Sequence, residues 1–148
     1  MTRFTFDTNV LVYAADREAG PRHGAAVDLM ARAADRDCVL ALQVLGEFAN
    51  VAFRRLGSGG PPVNRLVLGW MDVFPVHPAT GATLRSALEA AHRHKLSFWD
   101  AMLWMTAAEA GCRLLLSEDL QDGRTLRGVT IVNPFTRANA AAIENLLQ

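Results

Sequence analysis

The chain has 148 residues, 51% hydrophobic and 20% charged, a composition that suits one domain with a packed core and excludes a disordered chain. Fifteen basic and fifteen acidic residues cancel, so the overall basic excess that usually marks nucleic-acid binding is missing. The most apolar region, Leu96 to Leu116, is broken by Asp100, Glu109 and Arg113, which excludes a membrane-spanning helix, and no basic segment followed by an apolar core opens the chain. Cys38 and Cys112 lie far apart in apolar contexts and read as reduced core thiols of a cytoplasmic protein.

In chain order, Arg3 to Phe6 reads as a strand ending at Asp7, and Asn9 to Ala15 as a short helix. A helix follows over Pro21 to Arg36, with the proline near its start, where a missing N–H does no harm. Cys38 to Leu42 has strand character. Gln43 to Arg55 has helical spacing, with Val44, Phe48 and Val51 on one stripe. Gly57 to Pro62 is a loop that follows a helix rather than a strand, so it is neither a dinucleotide fingerprint nor a P-loop. Val63 to Val73 is a helix, Phe74 to His77 a short strand, and Thr80 to His94 an Ala-rich helix. Ser97 to Ala110 is a helix closed by Gly111. Arg113 to Leu116 is a strand, then comes a polar loop, then the last strand over Val129 to Val132 and a final helix over Arg137 to Leu147. Strands alternating with helices predict one α/β domain over residues 1–148 with a mostly parallel sheet.

Four carboxylates sit where an α/β domain gathers chemistry. Parallel sheets build sites at the carboxyl ends of their strands, and Asp7 and Asp119 each follow a strand. Glu47 shares the core-facing stripe with Val44 and Val51, and Asp100 shares an apolar face with Leu103, Trp104 and Ala107. Unpaired buried carboxylates are costly. Each acid also has an ordinary role open to it. Asp7 suits a helix N-cap, Ser97 and Asp100 have capping-box spacing, Asp119 suits a turn, and Glu47 has Arg54 and Arg55 within reach of local rearrangement. Together, however, two strand ends and two inward helix faces can converge on one site. Clustered carboxylates repel and call for a proton or a cation. An all-oxygen set without Cys or His favours Mg²⁺ or Mn²⁺, with Thr8 and Asn9 placed to orient Asp7.

The blocks "FDTNVLVYA", "LGEFANV", "LSFWDAM" and "LLLSEDLQDG" resemble, in that order, the acidic motifs of the PIN domain, and in particular those of the VapC toxins of bacterial toxin–antitoxin pairs. The resemblance spans Phe4 to Gly123. It implies a three-layer α/β/α sandwich with a central, mostly parallel sheet. It also implies a Mg²⁺- or Mn²⁺-dependent ribonuclease that activates water at the metal and leaves a 5′-phosphate and a 3′-hydroxyl. By this resemblance Asp7, Glu47, Asp100 and Asp119 are the catalytic and metal-binding acids, Asn9 supports the first acid, and Ser117 stands two residues before the last. Asp122 is a further supporting residue in the loop after Asp119, while Glu118 is expected to face solvent. The implied partners are an RNA substrate, a VapB-type antitoxin whose C-terminal segment lies by the active site, and a second copy of the chain.

Arg124 and Lys95 are the basic residues best placed to meet RNA phosphates; Arg54, Arg55, Arg65 and Arg93 are further candidates. No histidine set is convincing: His92 and His94 are two apart on one helix and face different sides. The alternative is a PIN-like module that binds RNA or protein without cutting, against which stands the presence of every acidic position. A strand-end aspartyl nucleophile of the dehalogenase or receiver type is disfavoured, because Asn9 stands where the former wants an acid and Lys95 precedes a helix rather than following a late strand.

Overall fold

The computed structural model describes residues 1–55 and 60–148; the expected loop at Gly57–Gly59 lies outside them, and from Gly60 the chain is already helical. The strands are β1 (Phe4–Phe6), β2 (Leu40–Ala41), β3 (Val76–His77), β4 (Leu114–Leu116), β5 (Thr125–Leu126) and β6 (Val129–Val132). The helices are α1 (Thr8–Ala15), α2 (Pro21–Ala33), α3 (Leu42–Arg55), α4 (Gly60–Val73), α5 (Gly81–His94), α6 (Phe98–Glu109) and α7 (Ala140–Leu147), the last preceded by a 3-10 turn at Arg137–Asn139.

Four strands form one sheet in the order β1-β4-β6-β5, and β2 pairs with β3. A parallel bridge between Phe4 and Cys38 joins the two pieces along the free edge of β1. Among the described residues all strand pairings are parallel except β5 with β6. Near-continuous apolar strands suit this arrangement, since a parallel sheet is covered on both faces. Phe4 and Phe6 of β1 are fully buried, as are Leu115 and Leu116 of β4 and Ile131 of β6. Helix α6 packs on β2, on β6 and along α5, while α1 packs on α2 and α3. Cys38 and Cys112 are buried free thiols, and burial pushes Cys112 up to about 12. Among the described residues no helix is long and apolar enough to cross a membrane.

Two helix ends set the geometry around the site. Helix α6 starts at Ser97, whose hydroxyl accepts the Asp100 N–H at 3.2 Å. It ends in a Schellman motif, with Gly111 N–H donating to Ala108 and Cys112 N–H to Ala107, and with Gly111 at φ 81°. Helix α5 ends on Lys95 in the left-handed region, at φ 54°.

The polar loop expected after β4 contains a strand, β5. It forms a hairpin with β6 across Arg127 and Gly128, at φ 52° and 77°, so both central residues are left-handed. Only this handedness matches the twist of the flanking strands in a two-residue hairpin, and an arginine in the first position hides it from a sequence reading. The hairpin is pinned to α6 by Trp104, which is fully buried and donates its indole N–H to the carbonyls of Leu126 and Val129, each at 3.1 Å.

Trp104→Phe keeps an aromatic ring but removes the indole donor from both carbonyls. It is expected to lower unfolding stability by about 2 kcal/mol, read by denaturant melts. A loss near zero would show that the indole bonds do not anchor the hairpin.

Candidate active site

The site begins with strand register. Phe6 of β1 lies beside Leu116 of β4, so Asp7 and Ser117, the next residues on each strand, emerge side by side. The Asp7 N–H donates to Leu116 O at 2.9 Å, and the Ser117 N–H to Val132 O at 3.1 Å. The Ser117 hydroxyl donates to Asp7 Oδ2 at 2.7 Å, while the Thr8 N–H donates to Asp7 Oδ1 at 2.6 Å. Asp7 is thus the N-cap of α1 as well as a strand-end acid, and the two roles use the same carboxylate. The same Ser117 oxygen accepts the N–H groups of Asp119 and Leu120, each at 3.2 Å, which folds the β4 loop back over the strand ends.

Three acids act on one another here. Burial pushes Asp7 above the usual carboxylate range; the bonds from Ser117 and Thr8 oppose that, and the charges of Asp119 and Asp100 reinforce it. Asp119 is also raised, by burial first and then by Glu118 and Asp100. The fourth acid, Glu47, joins through a bridge. The Thr8 hydroxyl donates to Glu47 Oε2 at 2.7 Å, so the residue whose N–H holds Asp7 holds Glu47 as well. Its other oxygen, Oε1, accepts from Gln43 Nε2 at 2.6 Å. The same nitrogen donates to Trp99 O at 3.0 Å. These two acceptors fix the orientation of the amide and leave Gln43 Oε1 enclosed without a partner among the described residues, a cost of about 1–3 kcal/mol. Glu47 therefore pairs with Thr8 and Gln43, not with Arg54 or Arg55. Asp100 has no hydrogen-bond partner for its carboxylate among the described residues; only its backbone N–H serves the cap.

Several residues near the acids are placed differently from expectation. The Asn9 amide donates to Asp119 Oδ2, so it supports the last acid rather than the first. The Asp122 carboxylate accepts from the Asn133 N–H at 2.8 Å and from Asn139 Nδ2 at 3.0 Å, and so ties down the segment before α7 instead of joining the acids. Gly123, at φ 82°, turns the chain between Asp122 and Arg124. Arg124 then lays its guanidinium 5.8 Å from the Trp104 ring centroid and donates to His94 O at 3.3 Å, which gives it a packing role. Lys95 is exposed. Glu118 does not face solvent freely: it accepts from Tyr13 Oη at 2.6 Å and pairs with Arg22 at 2.7 Å, and these contacts hold it below its ordinary range despite partial burial. Arg22 also stacks 4.9 Å from the Phe135 ring centroid. Gln43 was legible as an i, i+4 neighbour of Glu47, whereas nothing local pairs Tyr13 with Glu118, 105 residues apart.

Among the described residues, no three His, Cys, Asp or Glu side chains stand close enough to enclose an ion. The mutual repulsion of Asp7, Asp100 and Asp119 still suits a hard cation that keeps most of its water and takes only one or two carboxylates directly. The chemistry of the donors therefore fits Mg²⁺ or Mn²⁺. A cavity of about 650 Å³ near Val12, Phe48 and Arg55 includes none of the four acids.

The raised Asp7 value has a consequence for stability. Its folded pKa lies above its unfolded one, so Asp7 supports folding in acid and loses that support as pH rises through the folded value. Near neutrality its charge costs stability. In chelator, Asp7→Asn is expected to melt above wild type near neutral pH, with the gap closing on acidification into the usual carboxylate range. A gap that widens on acidification would mean that the bonds from Ser117 and Thr8 outweigh burial.

The geometry has clear relatives. The chain superposes on VapC20 of Mycobacterium tuberculosis, described as a sarcin–ricin loop cleaving toxin, with TM-score 0.64 and 22% identity over 78% of this chain and 91% of that one. A toxin–antitoxin complex from Klebsiella pneumoniae gives TM-score 0.65 and 18% identity over 88% and 97% of the two chains. VapBC2 of Rickettsia felis, bound to a DNA fragment from its promoter, gives TM-score 0.65 and 10% identity over the same shares, 88% and 97%. A search of curated protein sequences gives no match. The PIN domain family model matches residues 4–122, a span holding all four acids and the strands that present Asp7 and Asp119, and the chain belongs to the PIN domain family.

Proposed function

We propose that the protein is a metal-dependent endoribonuclease acting as the toxin of a VapBC-type pair. The observation that carries this reading is the convergence of Asp7, Asp100 and Asp119 on one end of the sheet, with Asp7 held by two donors and still raised by burial and its neighbours' charge. A PIN domain supplies the fold, and relatives of the same architecture are toxins or toxin–antitoxin complexes. A VapB-type antitoxin as partner follows from the same relatives.

One or two of Asp7, Asp100 and Asp119 would take Mg²⁺ or Mn²⁺ directly and the others through its bound water, with Glu47 close by through Thr8. When bound, the ion would neutralise the acids, polarise the scissile phosphate and make bound water a nucleophile. The chain's own residues position these groups. Ser117 and Thr8 engage both oxygens of Asp7 and so fix its direction. Asn9 holds Asp119 Oδ2 and so orients this carboxylate, which lies exposed at the lip of the site. Tyr13 and Arg22 clamp Glu118 and keep the loop that carries Asp119 in place.

Antitoxin-free protein incubated with total RNA in Mg²⁺ or Mn²⁺ is expected to cut it, leaving 5′-phosphate and 3′-hydroxyl ends. Cutting should disappear in EDTA and in Asp7→Asn. Binding without cutting under every metal condition would instead identify a non-catalytic PIN-like module. Cutting that survives both EDTA and Asp7→Asn would remove the carboxylates from the mechanism. Saturating Mg²⁺ or Mn²⁺ is also expected to raise the melting temperature of wild type, because the ion binds only the folded state. An unmoved melting curve would count against a metal site at these acids.

A further inference from the structure

We propose that Trp99 is the stacking platform for one nucleobase of single-stranded RNA next to the bond to be cut, and that Gln43 ties this platform to the acids; the inference rests on the ribonuclease reading above. Trp99 is 60% exposed, although it sits in the first turn of α6, whose following residues from Ala101 to Ala107 are buried. It directly precedes Asp100. Its indole N–H has no acceptor among the described residues. Phe98 meets it edge to face, with centroids 4.9 Å apart and planes at 74°, which buttresses the indole. The Trp99 carbonyl and Glu47 Oε1 share one donor, Gln43 Nε2, so a single amide ties the backbone that carries the aromatic ring to an acid.

Beside this ring lies an open pocket of about 530 Å³ walled by Leu42, Gln43, Glu47, Ala79, Trp99 and Met102. That volume is in the range of small-ligand sites. Leu42 on its rim is 47% exposed. The wall is largely apolar and its one charge is negative. Such a pocket repels a phosphate and accepts a flat, uncharged ring. A strand whose phosphate lies against Asp7 and Asp119 must put a neighbouring base somewhere, and the Glu47 wall places this pocket at the edge of the acids. Stacking also meets an energetic need. The chain carries no net positive charge, and Arg124 is engaged with Trp104 and His94, so contacts that do not depend on charge add to whatever phosphate attraction the other basic residues supply. An indole offers that to any base, since every base has a π-face.

The test compares wild type, Trp99→Ala and Trp99→Phe, none of which alters the buried core. Binding is read by fluorescence anisotropy with a labelled single-stranded RNA of mixed sequence, in Ca²⁺, and repeated with an abasic strand of equal length. Trp99→Ala is expected to weaken RNA binding about tenfold, within the span seen when an aromatic stacking residue is truncated, while Trp99→Phe keeps most of the affinity. The abasic strand should bind weakly and equally to all three. Equal RNA binding by wild type and Trp99→Ala would overturn the proposal and leave Trp99 to a protein partner, and so would an abasic strand that still distinguishes them. The cleavage assay on wild type separates the two levels. If wild type cuts RNA and Trp99→Ala binds it normally, this inference alone falls; if wild type neither binds nor cuts RNA, the ribonuclease reading falls and takes this one with it.

Discussion

The hydrogen bond from Ser117 to Asp7 is the contact on which the site depends. It crosses from β4 to β1, two strands far apart in sequence, and it exists because their parallel register brings Phe6 beside Leu116. A slip of one residue would turn Asp7 to the other face and point a core phenylalanine at the site. The apolar strands therefore position the chemistry as much as they stabilise the core. Ser117 is itself fully buried, and one oxygen serves a donor role toward Asp7 and an acceptor role toward Asp119 and Leu120. Buried polar groups satisfied in this way specify one arrangement, because any other strands them.

Around that contact the acids divide by how they are held. Asp7 is gripped on both oxygens, Glu47 on both by Thr8 and Gln43, and Asp119 on one by Asn9. The Asp100 carboxylate has no such partner among the described residues. The site combines rigid acids with one free to adjust. Such a combination suits a cation that demands its own geometry yet keeps much of its hydration.

Most of this organisation was legible in the sequence. Strand-end acids and core-facing acids stood out because apolar patterning marks where a carboxylate is out of place, and parallel topology follows from alternating elements. Asp7 is both a helix cap and a strand-end acid, two placements that a sequence presents as rivals. Several departures from expectation follow Asp119. Nearness in sequence suggested that Asp122 and Arg124 would belong to the site, but Gly123 reverses the chain between them and sends each to a separate structural duty. Strand β5 escaped notice because two residues carry no periodicity and its turn begins with arginine instead of asparagine. The partners of Glu118 were invisible for a different reason: Tyr13 and Arg22 reach it only through the packing of α1 and α2 beside the β4 loop.

That last cluster makes neighbouring acids opposites in behaviour. Glu118 is an anion in an ion pair that ambient salt can screen, whereas Asp119 beside it is raised by burial first and then by the like charges of Glu118 and Asp100, and salt relieves only the second part. Raising ionic strength thus loosens the strap on the loop while easing the strain on the carboxylate that the loop delivers. One environmental variable therefore acts in opposite senses on the ion pair that straps the loop and on the charge of the acid the loop carries.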